Sequence, residues 1–316
     1  MTTANTVEIF AADTKLCAGT TAMSADRARH AATLLLDGRV VVAGGVTGSN
    51  GVYKAIDDVE VFDPTDESWS DLPPLPTARD LLTITALADG RVLAVGGRDG
   101  GNTRGDAWLL DAELLSWTEV TPGLTQARFG HTATLLPDGD VLIAGGRVGA
   151  DSITVAVAER FDLQSSALLS AGTAPESRGG HTATSLDDGR VTVAGGLSRS
   201  VADETLALAD TNIYDPVAND WDLGPDLNQP RSFSASANIP GEGVLLLGGE
   251  LNSPLATVEI YLPSLDQWQL LPSLLTPRLA PTSATIDGDS ALVIGGDGNA
   301  VTEAPLASAE IYGFAR

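Results

Sequence analysis

The chain has 316 residues and is strongly acidic, with 42 Asp and Glu against 18 Lys and Arg and a formal net charge of -24. This balance disfavours nucleic acid and anionic lipid as partners, because like charges repel each other. Cys17 is the single cysteine, so no internal disulfide is expected. No apolar run approaches the roughly 18–20 residues that span a membrane. The first segment, MTTANTVEIF, has neither the basic nor the apolar region of a signal peptide.

Gly-Gly pairs recur along the chain at a nearly constant interval. The steps between the first glycines of successive pairs are 52, 49, 50, 53 and 47 residues. A fixed period of this length is typical of stacked supersecondary units, each of which buries its apolar faces against its neighbours. We therefore predict one domain over residues 1–316, made of six repeats centred on Gly44, Gly96, Gly145, Gly195, Gly248 and Gly295.

Taken in chain order, each repeat predicts four antiparallel strands. The first strand follows an arginine that lies 17 residues before the Gly-Gly pair in all six repeats. The second is a short β-branched run such as Val40–Ala43, which follows a hairpin turn such as Asp37-Gly38. The third carries an aromatic residue or Leu, and the fourth a Trp seven residues later. These pairs are Phe62/Trp69, Leu110/Trp117, Tyr214/Trp221 and Tyr261/Trp268, and Phe161/Leu168 keeps the spacing without Trp.

Together, the Gly-Gly pair, the downstream aromatic residue and the Trp resemble the kelch repeat, and the resemblance covers essentially the whole chain. The string Arg128–Leu135, R-x-x-H-T-A-T-L, is similar to the bacterial, galactose-oxidase-like branch of that family. The resemblance implies an all-β, six-bladed β-propeller with four strands per blade around a channel. Because relatives are often exported, it also suggests a secreted or cell-surface bacterial origin.

Closure of the last blade is ambiguous in the sequence. Val7–Phe10 and Ala309–Tyr312 both copy the third-strand pattern of Val59–Phe62, and Cys17 follows Phe10 by the seven residues that separate aromatic and Trp elsewhere. We predict that Lys15–Gly19 supplies the outer strand of the sixth blade, so that both termini close it and no edge stays open. The alternative is that Val7–Phe10 pairs inside and the C-terminal strand is displaced.

Strand direction places the arginines, the Gly-Gly pairs and the following loops on one face of the propeller, the top face. The Asp-Gly and Asp-Pro turns lie on the opposite face. The top loops differ most in length and content, and variable loops on a rigid scaffold commonly carry recognition. These loops are Val46–Asp57, Arg98–Gly105, Leu197–Asp210 and Asp297–Ser308.

Arginines dominate the candidate binding residues. We call the six arginines that precede the glycines the register arginines: Arg27, Arg79, Arg128, Arg178, Arg231 and Arg278. Arg98 and Arg147, directly after a Gly-Gly pair, add to this charge, and guanidinium groups suit carboxylates and phosphates. The competing interpretation is that each register arginine pairs with an acidic residue of its own repeat, such as Glu60, Glu159, Glu259 or Glu310. We favour it, because a position repeated six times usually serves the repeat.

The three histidines, His30, His131 and His181, each lie three residues after a register arginine and therefore on separate blades. This separation favours structural hydrogen bonding over a shared metal ion. Copper chemistry like that of galactose oxidase needs a cysteine cross-linked to a tyrosine, whereas Cys17 lies in an outer-strand position. We predict no catalytic residue, no metal and no cofactor.

Two functions remain open from the sequence. The favoured one is a non-catalytic scaffold that recognises a protein or glycan with its top loops. The alternative is a small-molecule enzyme or anion binder similar to the kelch-type sialic acid mutarotases, which would hold an anionic sugar at the arginines of the channel mouth. The sequence does not indicate an oligomeric state.

Overall fold

The computed structural model describes residues 3–49, 51–200, 205–286, 288–298 and 305–313. Throughout these residues the secondary structure is β-strand, turn and bridge, without a helix. Six antiparallel sheets follow one another along the chain, one for each Gly-Gly pair, and they are the blades of a β-propeller. The predicted all-β, six-bladed fold is therefore confirmed.

The strands up to the end of the third sheet lie between Glu8 and Arg178. Up to the end of the first sheet they are β1 (Glu8–Ala11), β2 (Leu16–Gly19), β3 (Ala31–Leu34), β4 (Val40–Ala43), β5 (Val46–Ser49), β6 (Val52–Ala55), β7 (Val59–Asp63) and β8 (Ser68–Leu72). The second sheet region holds β9 (Thr83–Ala86), β10 (Val92–Val95), β11 (Arg98–Asp99), β12 (Asn102–Thr103), β13 (Ala107–Leu110) and β14 (Trp117–Val120). The third holds β15 (Thr132–Leu135), β16 (Val141–Ala144), β17 (Arg147–Val148), β18 (Ile153–Asp162) and β19 (Ala167–Arg178).

The remaining strands form the last three sheets. The fourth sheet region holds β20 (Thr182–Ser185), β21 (Val191–Ala194), β22 (Leu197–Ser198), β23 (Leu206–Ala207), β24 (Thr211–Asp215) and β25 (Asp220–Leu223). The fifth holds β26 (Ala235–Ile239), β27 (Gly243–Leu247), β28 (Val258–Leu262) and β29 (Gln267–Leu271). The sixth holds β30 (Thr282–Ile286), β31 (Ser290–Ile294) and β32 (Ala309–Gly313).

Four sheets have the predicted four strands in chain order. These are β3-β4-β7-β8, β9-β10-β13-β14, β20-β21-β24-β25 and β26-β27-β28-β29. In the third sheet the order is β15-β16-β18, and both β17 and β19 pair with β18. We call the end of each sheet that carries the Gly-Gly pair its top end, and the opposite end its turn end.

The chain divides into two compact units. The first unit contains Met1–Ile143, Arg147–Ser152 and Glu159–Ser170, and the second contains Ala144–Gly146, Ile153–Ala158 and Ala171–Arg316. The third sheet contributes residues to both.

Stacking of successive sheets explains why the second strand of a repeat is apolar throughout. All four residues of β10 are buried. Val92 and Ala94 pack with residues of the first sheet, whereas Leu93 and Val95 pack with residues of the third. Alternate side chains of a strand point to opposite faces, so a strand covered on both sides reads as a continuous apolar run. In the second unit β27 divides its side chains in the same way.

The predicted aromatic pairs lie directly opposite each other on the third and fourth strands. The ring centroids of Phe62 and Trp69 are 5.1 Å apart, and those of Tyr261 and Trp268 are 5.5 Å apart. The indole N–H also reaches the sheet before it, since Trp117 Nε1 donates to the carbonyl of Pro73 at 2.9 Å. Each pair therefore closes the outer edge of one sheet and fastens it to its neighbour.

The N-terminal segment differs from the predicted closure of the last blade. β1 pairs with β2, with Phe10 opposite Cys17, and the sixth sheet is β30-β31-β32 in the part of the chain that the structure describes. Both copies of the third-strand pattern are therefore strands, and Leu16–Gly19 pairs locally and not as the outer strand of the sixth sheet. A turn of four residues separates β1 from β2, so local pairing closes a very short loop at low entropic cost.

This N-terminal hairpin joins the first sheet as the end of one repeat joins the next. The N–H of Arg27 donates to the carbonyl of Ala4 at 2.9 Å, as that of Arg79 donates to Ile56 at 3.1 Å. Trp69 Nε1 donates to the carbonyl of Thr21 at 3.0 Å. Residues 4–23 thus repeat the contacts of a third and fourth strand.

Candidate functional site

All six register arginines are buried at the top end of their own sheet, with at most 3% of their surface exposed. Arg231 shows the common arrangement. Its Nη1 donates to the carbonyls of Gly248 at 3.1 Å and Thr257 at 3.0 Å, and its Nη2 donates to Glu259 Oε1 at 2.7 Å. The guanidinium group thereby satisfies the carbonyl of the first glycine, the residue at which the second strand ends.

Every register arginine forms an ion pair within its repeat. The partners are Arg27–Glu60, Arg79–Asp106, Arg128–Glu159, Arg178–Asp210, Arg231–Glu259 and Arg278–Glu310. The four glutamates were anticipated from the sequence. Asp106 and Asp210 were not, although each stands two residues before a third-strand position that holds Trp108 or Asn212 in place of Glu. An acidic residue is thus supplied from either of two positions, which shows that each arginine is matched by a carboxylate.

The pKa values reflect this pairing. Burial alone would raise the pKa of Asp106, but hydrogen bonds from Arg79 and Trp108 hold it below its usual value. Burial lowers the pKa of Arg231, and the charge of Glu259 opposes that shift. The ionised forms of these pairs are therefore built into the interior of the sheets.

The backbone carbonyl of a register arginine binds the preceding repeat. The N–H of Gly97 donates to the carbonyl of Arg128 at 2.9 Å. A Cβ on Gly96, where φ is +58°, would lie 2.6 Å from the same oxygen. The Gly-Gly pair is therefore required both for a left-handed backbone and for the close approach of the next sheet. Arginine and glycine pair together form the joint between neighbouring sheets.

Position by position, the residue after the Gly-Gly pair differs from repeat to repeat. It forms a β-bridge with the residue after the register arginine, and these bridges are Ala28–Val46, Asp80–Arg98, Phe129–Arg147, Gly179–Leu197, Ser232–Glu250 and Leu279–Asp297. We call Val46, Arg98, Arg147, Leu197, Glu250 and Asp297 the post-glycine positions. They are basic or apolar in the first unit and acidic or apolar in the second.

In the first unit three arginines gather at the top end beside Asp80 and Phe129. We call Arg29, Arg98 and Arg147 the three-arginine cluster. Arg98 Nε lies 3.1 Å from Asp80 Oδ1, and Arg29 Nη1 lies 3.5 Å from Asp80 Oδ2. The guanidinium carbons of Arg98 and Arg147 lie 4.8 and 5.3 Å from the centre of the Phe129 ring. The sequence had singled out Arg98 and Arg147, and it gave no signal for Arg29 because its side chain meets the others only in the folded chain.

A cavity of about 90 Å³ lies beside this cluster, lined by Arg29, Tyr53, Asp80, Arg98 and Gly100 among others. Burial lowers the pKa of Arg147, and the positive charges of Arg98 and Arg29 lower it further. The three guanidinium groups are thus close enough to repel one another. This arrangement can hold an anion.

The second unit has a cavity of a different character at its top end. It measures about 460 Å³ and is lined by Leu197, Leu206, Ser232, Glu250 and Leu251 among others. Burial raises the pKa of Glu250 above its usual value. A lining of apolar and uncharged polar side chains with one carboxyl group is unsuited to an anion.

The top loops contain short hairpins that sequence analysis did not predict. β5 pairs with β6, β11 with β12, and β22 with β23. Gly100-Gly101 stands between Asp99 and Asn102, which is a two-residue hairpin signal. Residues 50, 201–204 and 299–304 of these loops lie outside the described residues.

The three histidines and the cysteine differ in their surroundings. His131 is buried, its Nε2 lies 2.9 Å from Thr83 Oγ1, and burial together with the charge of Arg128 lowers its pKa to about 3. His181 is also buried, His30 and Cys17 are exposed. Across the described ranges, His, Cys, Asp and Glu form no group of three or more that could hold a metal ion. Those ranges also contain no helix long and apolar enough to cross a membrane.

These sheets and joints define a β-propeller assembled from one repeated unit. Residues 27–76, which run from the first register arginine through the first sheet, match the kelch motif. A segment of 74 residues is 35% identical to human Kelch-like protein 4, and it covers 23% of this chain and 10% of that protein. The chain therefore contains a kelch motif in its first sheet, within a fold of six blades, and kelch repeats commonly serve as protein-interaction scaffolds.

Proposed function

We propose that this protein is a non-catalytic binding scaffold that recognises a protein or glycan ligand through the top ends of its sheets. The observation that carries the proposal is a contrast between the residues before and after the Gly-Gly pair. The register arginines are buried and ion-paired in every repeat, whereas the post-glycine positions and their hairpins differ in each. Residues that change on an unchanged scaffold are those that a ligand can distinguish.

Exposed apolar side chains on the top hairpins support the same surface. Val52 on β6 is 78% exposed and Leu206 on β23 is 62% exposed. Apolar side chains at the top end can contribute to a desolvated interface core, while the neighbouring charges form its rim. Val217 and Leu265 are exposed to a similar degree at the turn ends, which provides matched controls.

The experiment begins with ligands selected from a glycan array and a displayed peptide library on the wild-type protein. Val52→Asp and Leu206→Asp are expected to weaken the selected ligands about tenfold or more, because each places a charge in a desolvated contact. Val217→Asp and Leu265→Asp introduce the same charge at the turn ends and are expected to leave binding unchanged. Ligands that depend on the turn-end variants and not on the top-end variants would place recognition elsewhere.

The alternative function, an enzyme or anion binder that resembles the sialic acid mutarotases, was expected to use the register arginines. Their guanidinium groups donate to carbonyls and carboxylates of their own repeats. A sugar carboxylate at these positions would have to displace buried ion pairs. The geometry of the register arginines therefore favours the scaffold over the anion binder.

A further inference from the structure

We infer that the cavity at the top end of the second unit is a binding site for an alkylguanidinium group, the group that an arginine side chain carries. We call it the Glu250 cavity, after the one carboxyl group in its lining. The inference deepens the proposed function and rests on it for the source of the group, which is a protein ligand. It is carried by a carboxylate without a counter-ion, by the apolar side chains beside it and by the size of the cavity.

Among the described residues, Glu250 has no counter-ion. Burial raises its pKa, and no neighbouring positive charge or hydrogen-bond donor lowers it. The register arginines of the fourth and fifth sheets are paired elsewhere, since Arg178 pairs with Asp210 and Arg231 with Glu259. The carboxylate of Glu250 is therefore open to a cation from outside the protein.

The backbone of Glu250 is fixed on both sides. Its N–H donates to the carbonyl of Ser232 at 2.8 Å, and its carbonyl accepts from the N–H of Ser232 at 3.1 Å. Glu250 also forms a β-bridge with Pro254, and the N–H of Leu255 closes the loop by donating to the carbonyl of Gly249 at 2.8 Å. A ligand then meets a carboxylate on an ordered backbone, which lowers the entropic cost of binding.

Apolar side chains form the walls beside this carboxylate. Leu197 comes from β22, Leu206 from β23, and Leu251 directly follows Glu250. Leu206 is exposed, whereas Leu197 and Leu251 are half-buried. An arginine side chain lays its methylene stem along apolar surface and keeps its charged head at a polar group. The Glu250 cavity offers both kinds of surface side by side.

The hydroxyl group of Ser232 is a second polar group at this site. Ser232 lines the cavity, and its buried Oγ has no hydrogen-bond partner among the described residues. Buried polar groups without a partner are uncommon in proteins. A guanidinium group has five N–H donors, so one that pairs with Glu250 has others left for a Ser232 hydroxyl that turns toward the cavity.

Among organic cations, a guanidinium group fits this site best. The volume of about 460 Å³ lies within the range of about 300–1,000 Å³ that small-molecule sites occupy, so a whole side chain is admitted. The planar guanidinium fork pairs with both oxygens of a carboxylate. It is more weakly hydrated than an ammonium group and therefore loses less on entering a partly buried site. The net charge of -24 also attracts a cation to the protein.

The probe for this site is Nα-acetylarginine methylamide, measured by isothermal titration calorimetry at fixed ionic strength. The citrulline counterpart has nearly the same shape without the charge, and the lysine counterpart is the competing cation. Wild-type protein is expected to bind the arginine derivative saturably and more tightly than the lysine derivative, and to leave the citrulline derivative unbound. Equal binding of arginine and citrulline derivatives, tighter binding of lysine, or no saturable binding would overturn the assignment.

Propylguanidinium distinguishes the source of the group. It carries the same single charge and an alkyl stem but no peptide backbone. We expect it to bind more weakly than the arginine derivative, because a protein ligand also contacts the rim of the cavity. Tighter binding of propylguanidinium would contradict a protein ligand as the source.

Removal of the carboxylate charge locates the binding. Glu250→Gln is expected to weaken binding of the arginine derivative about tenfold, since the charge-assisted pair is lost. Its melting temperature should not fall, because the carboxylate has no partner in the fold to lose. Glu119→Gln removes the same charge from an exposed position on β14 and should leave the affinity unchanged. Equal losses in the two variants would reduce the effect to net charge and sink the proposal.

The apolar walls are tested separately. Leu251→Ala is expected to weaken binding of the arginine derivative several-fold, because apolar contact with its stem is lost. Leu265→Ala shortens an exposed leucine at the turn end of the fifth sheet and should have no effect. If Leu251→Ala binds the arginine derivative as tightly as the wild type, the stem does not lie in the cavity and the assignment is wrong.

Failure here is distinguishable from failure of the proposed scaffold. If selected peptides or glycans bind with dependence on Val52 but the arginine derivative does not bind, the scaffold stands and the guanidinium site is wrong. If the arginine derivative binds with the expected dependence on Glu250 and no top-end ligand is selected, the site stands and the scaffold proposal fails.

Discussion

The arginines on the two sides of the Gly-Gly pair have opposite surroundings. Arg231, before the pair, is buried with its Glu259 partner and hydrogen-bonded to two backbone carbonyls. Arg98, after the pair, is partly exposed and shares Asp80 with Arg29. Arginine therefore has two roles. Before the Gly-Gly pair it stabilises the joint between sheets, and after the pair it presents charge at the surface.

Repetition explains the difference. The second strand of each repeat ends in Gly-Gly, and the register arginine donates a hydrogen bond to the carbonyl at that end. This arginine is therefore required in each repeat, and it recurs six times. The post-glycine position is joined to its partner through backbone hydrogen bonds, which any side chain allows, so the residue there varies between Val46 and Glu250. Recurrence thus marks residues of the scaffold, and departures from it mark residues that a ligand can meet.

The largest effect is expected from breaking a register pair. Glu259 accepts hydrogen bonds from Arg231 Nη2 at 2.7 Å and from the N–H of Asn228 at 2.7 Å. Glu259→Gln leaves a buried guanidinium without its counter-ion, so we expect a loss of about 3–5 kcal/mol in the free energy of unfolding. Urea denaturation measures it. The matched control is Asp188→Asn in the exposed pair with Arg190, which should cost less than about 1 kcal/mol. Equal losses would contradict the structural role.

The next effect concerns the glycine side of the joint. Gly96→Ala places a Cβ 2.6 Å from the carbonyl of Arg128 at a φ of +58°. We expect a loss of about 2–3 kcal/mol in the free energy of unfolding, from both the left-handed backbone and the contact. Gly100 has a φ of +62° with nothing within 4 Å, so Gly100→Ala isolates the backbone cost, which we expect to be about 1 kcal/mol. If the two variants lose the same stability, the contact between sheets does not matter.

A pH-dependent effect is expected from His131, which lies beside the register set. Its pKa is lowered from the ordinary value of 6.5 to about 3 in the folded protein, because it is buried and near Arg128. Between these values the unfolded chain binds a proton that the folded chain does not, so stability falls as the pH falls below 6.5. At pH 5 the loss is about 2 kcal/mol.

Unfolding curves at pH 7.5 and pH 5 test this expectation in the wild type and in His131→Gln. The variant lacks the titrating group, so the difference in unfolding free energy between the two pH values should be smaller by about 2 kcal/mol. The comparison within each protein removes the cost of the substitution itself. An unchanged pH dependence would show that His131 is not kept neutral by burial.

The smallest effect on stability is expected in the three-arginine cluster. Arg29→Gln removes a partly exposed charge 3.5 Å from its partner, so the free energy of unfolding should change by no more than about 0.5 kcal/mol. Thermal denaturation of Arg29→Gln and of the control variant Arg39→Gln, which breaks the surface pair with Asp37, provides the measurement. A loss comparable to that of Glu259→Gln would place Arg29 in the scaffold and remove the distinction between the two sets.

Much of the fold was predictable because the same residue pattern occurs in six repeats. The spacing of Phe62 and Trp69 predicted that they lie on the third and fourth strands, and the short turn between these strands sets the register that pairs them. The register arginines and four of their partners followed from the same alignment. Asp106 and Asp210 escaped it because their repeats supply the carboxylate two residues earlier.

The N-terminal hairpin and the three-arginine cluster escaped prediction for different reasons. Leu16–Gly19 carries the pattern of a fourth strand, and a pattern does not say which third strand it pairs with. Arg29, Arg98 and Arg147 come from three different repeats, and only the stacking of sheets in the first unit brings them to Asp80 and Phe129.

By itself, the sequence determined the period, the strand content and the residues of the joints, because these depend on contacts repeated at fixed offsets. The tertiary structure alone decided the pairing of the N-terminal strands, the second source of carboxylates and the meeting of Arg29 and Arg98 at Asp80. These features depend on distances between side chains far apart in the chain, and such distances are set by how the sheets pack and not by the spacing within a repeat.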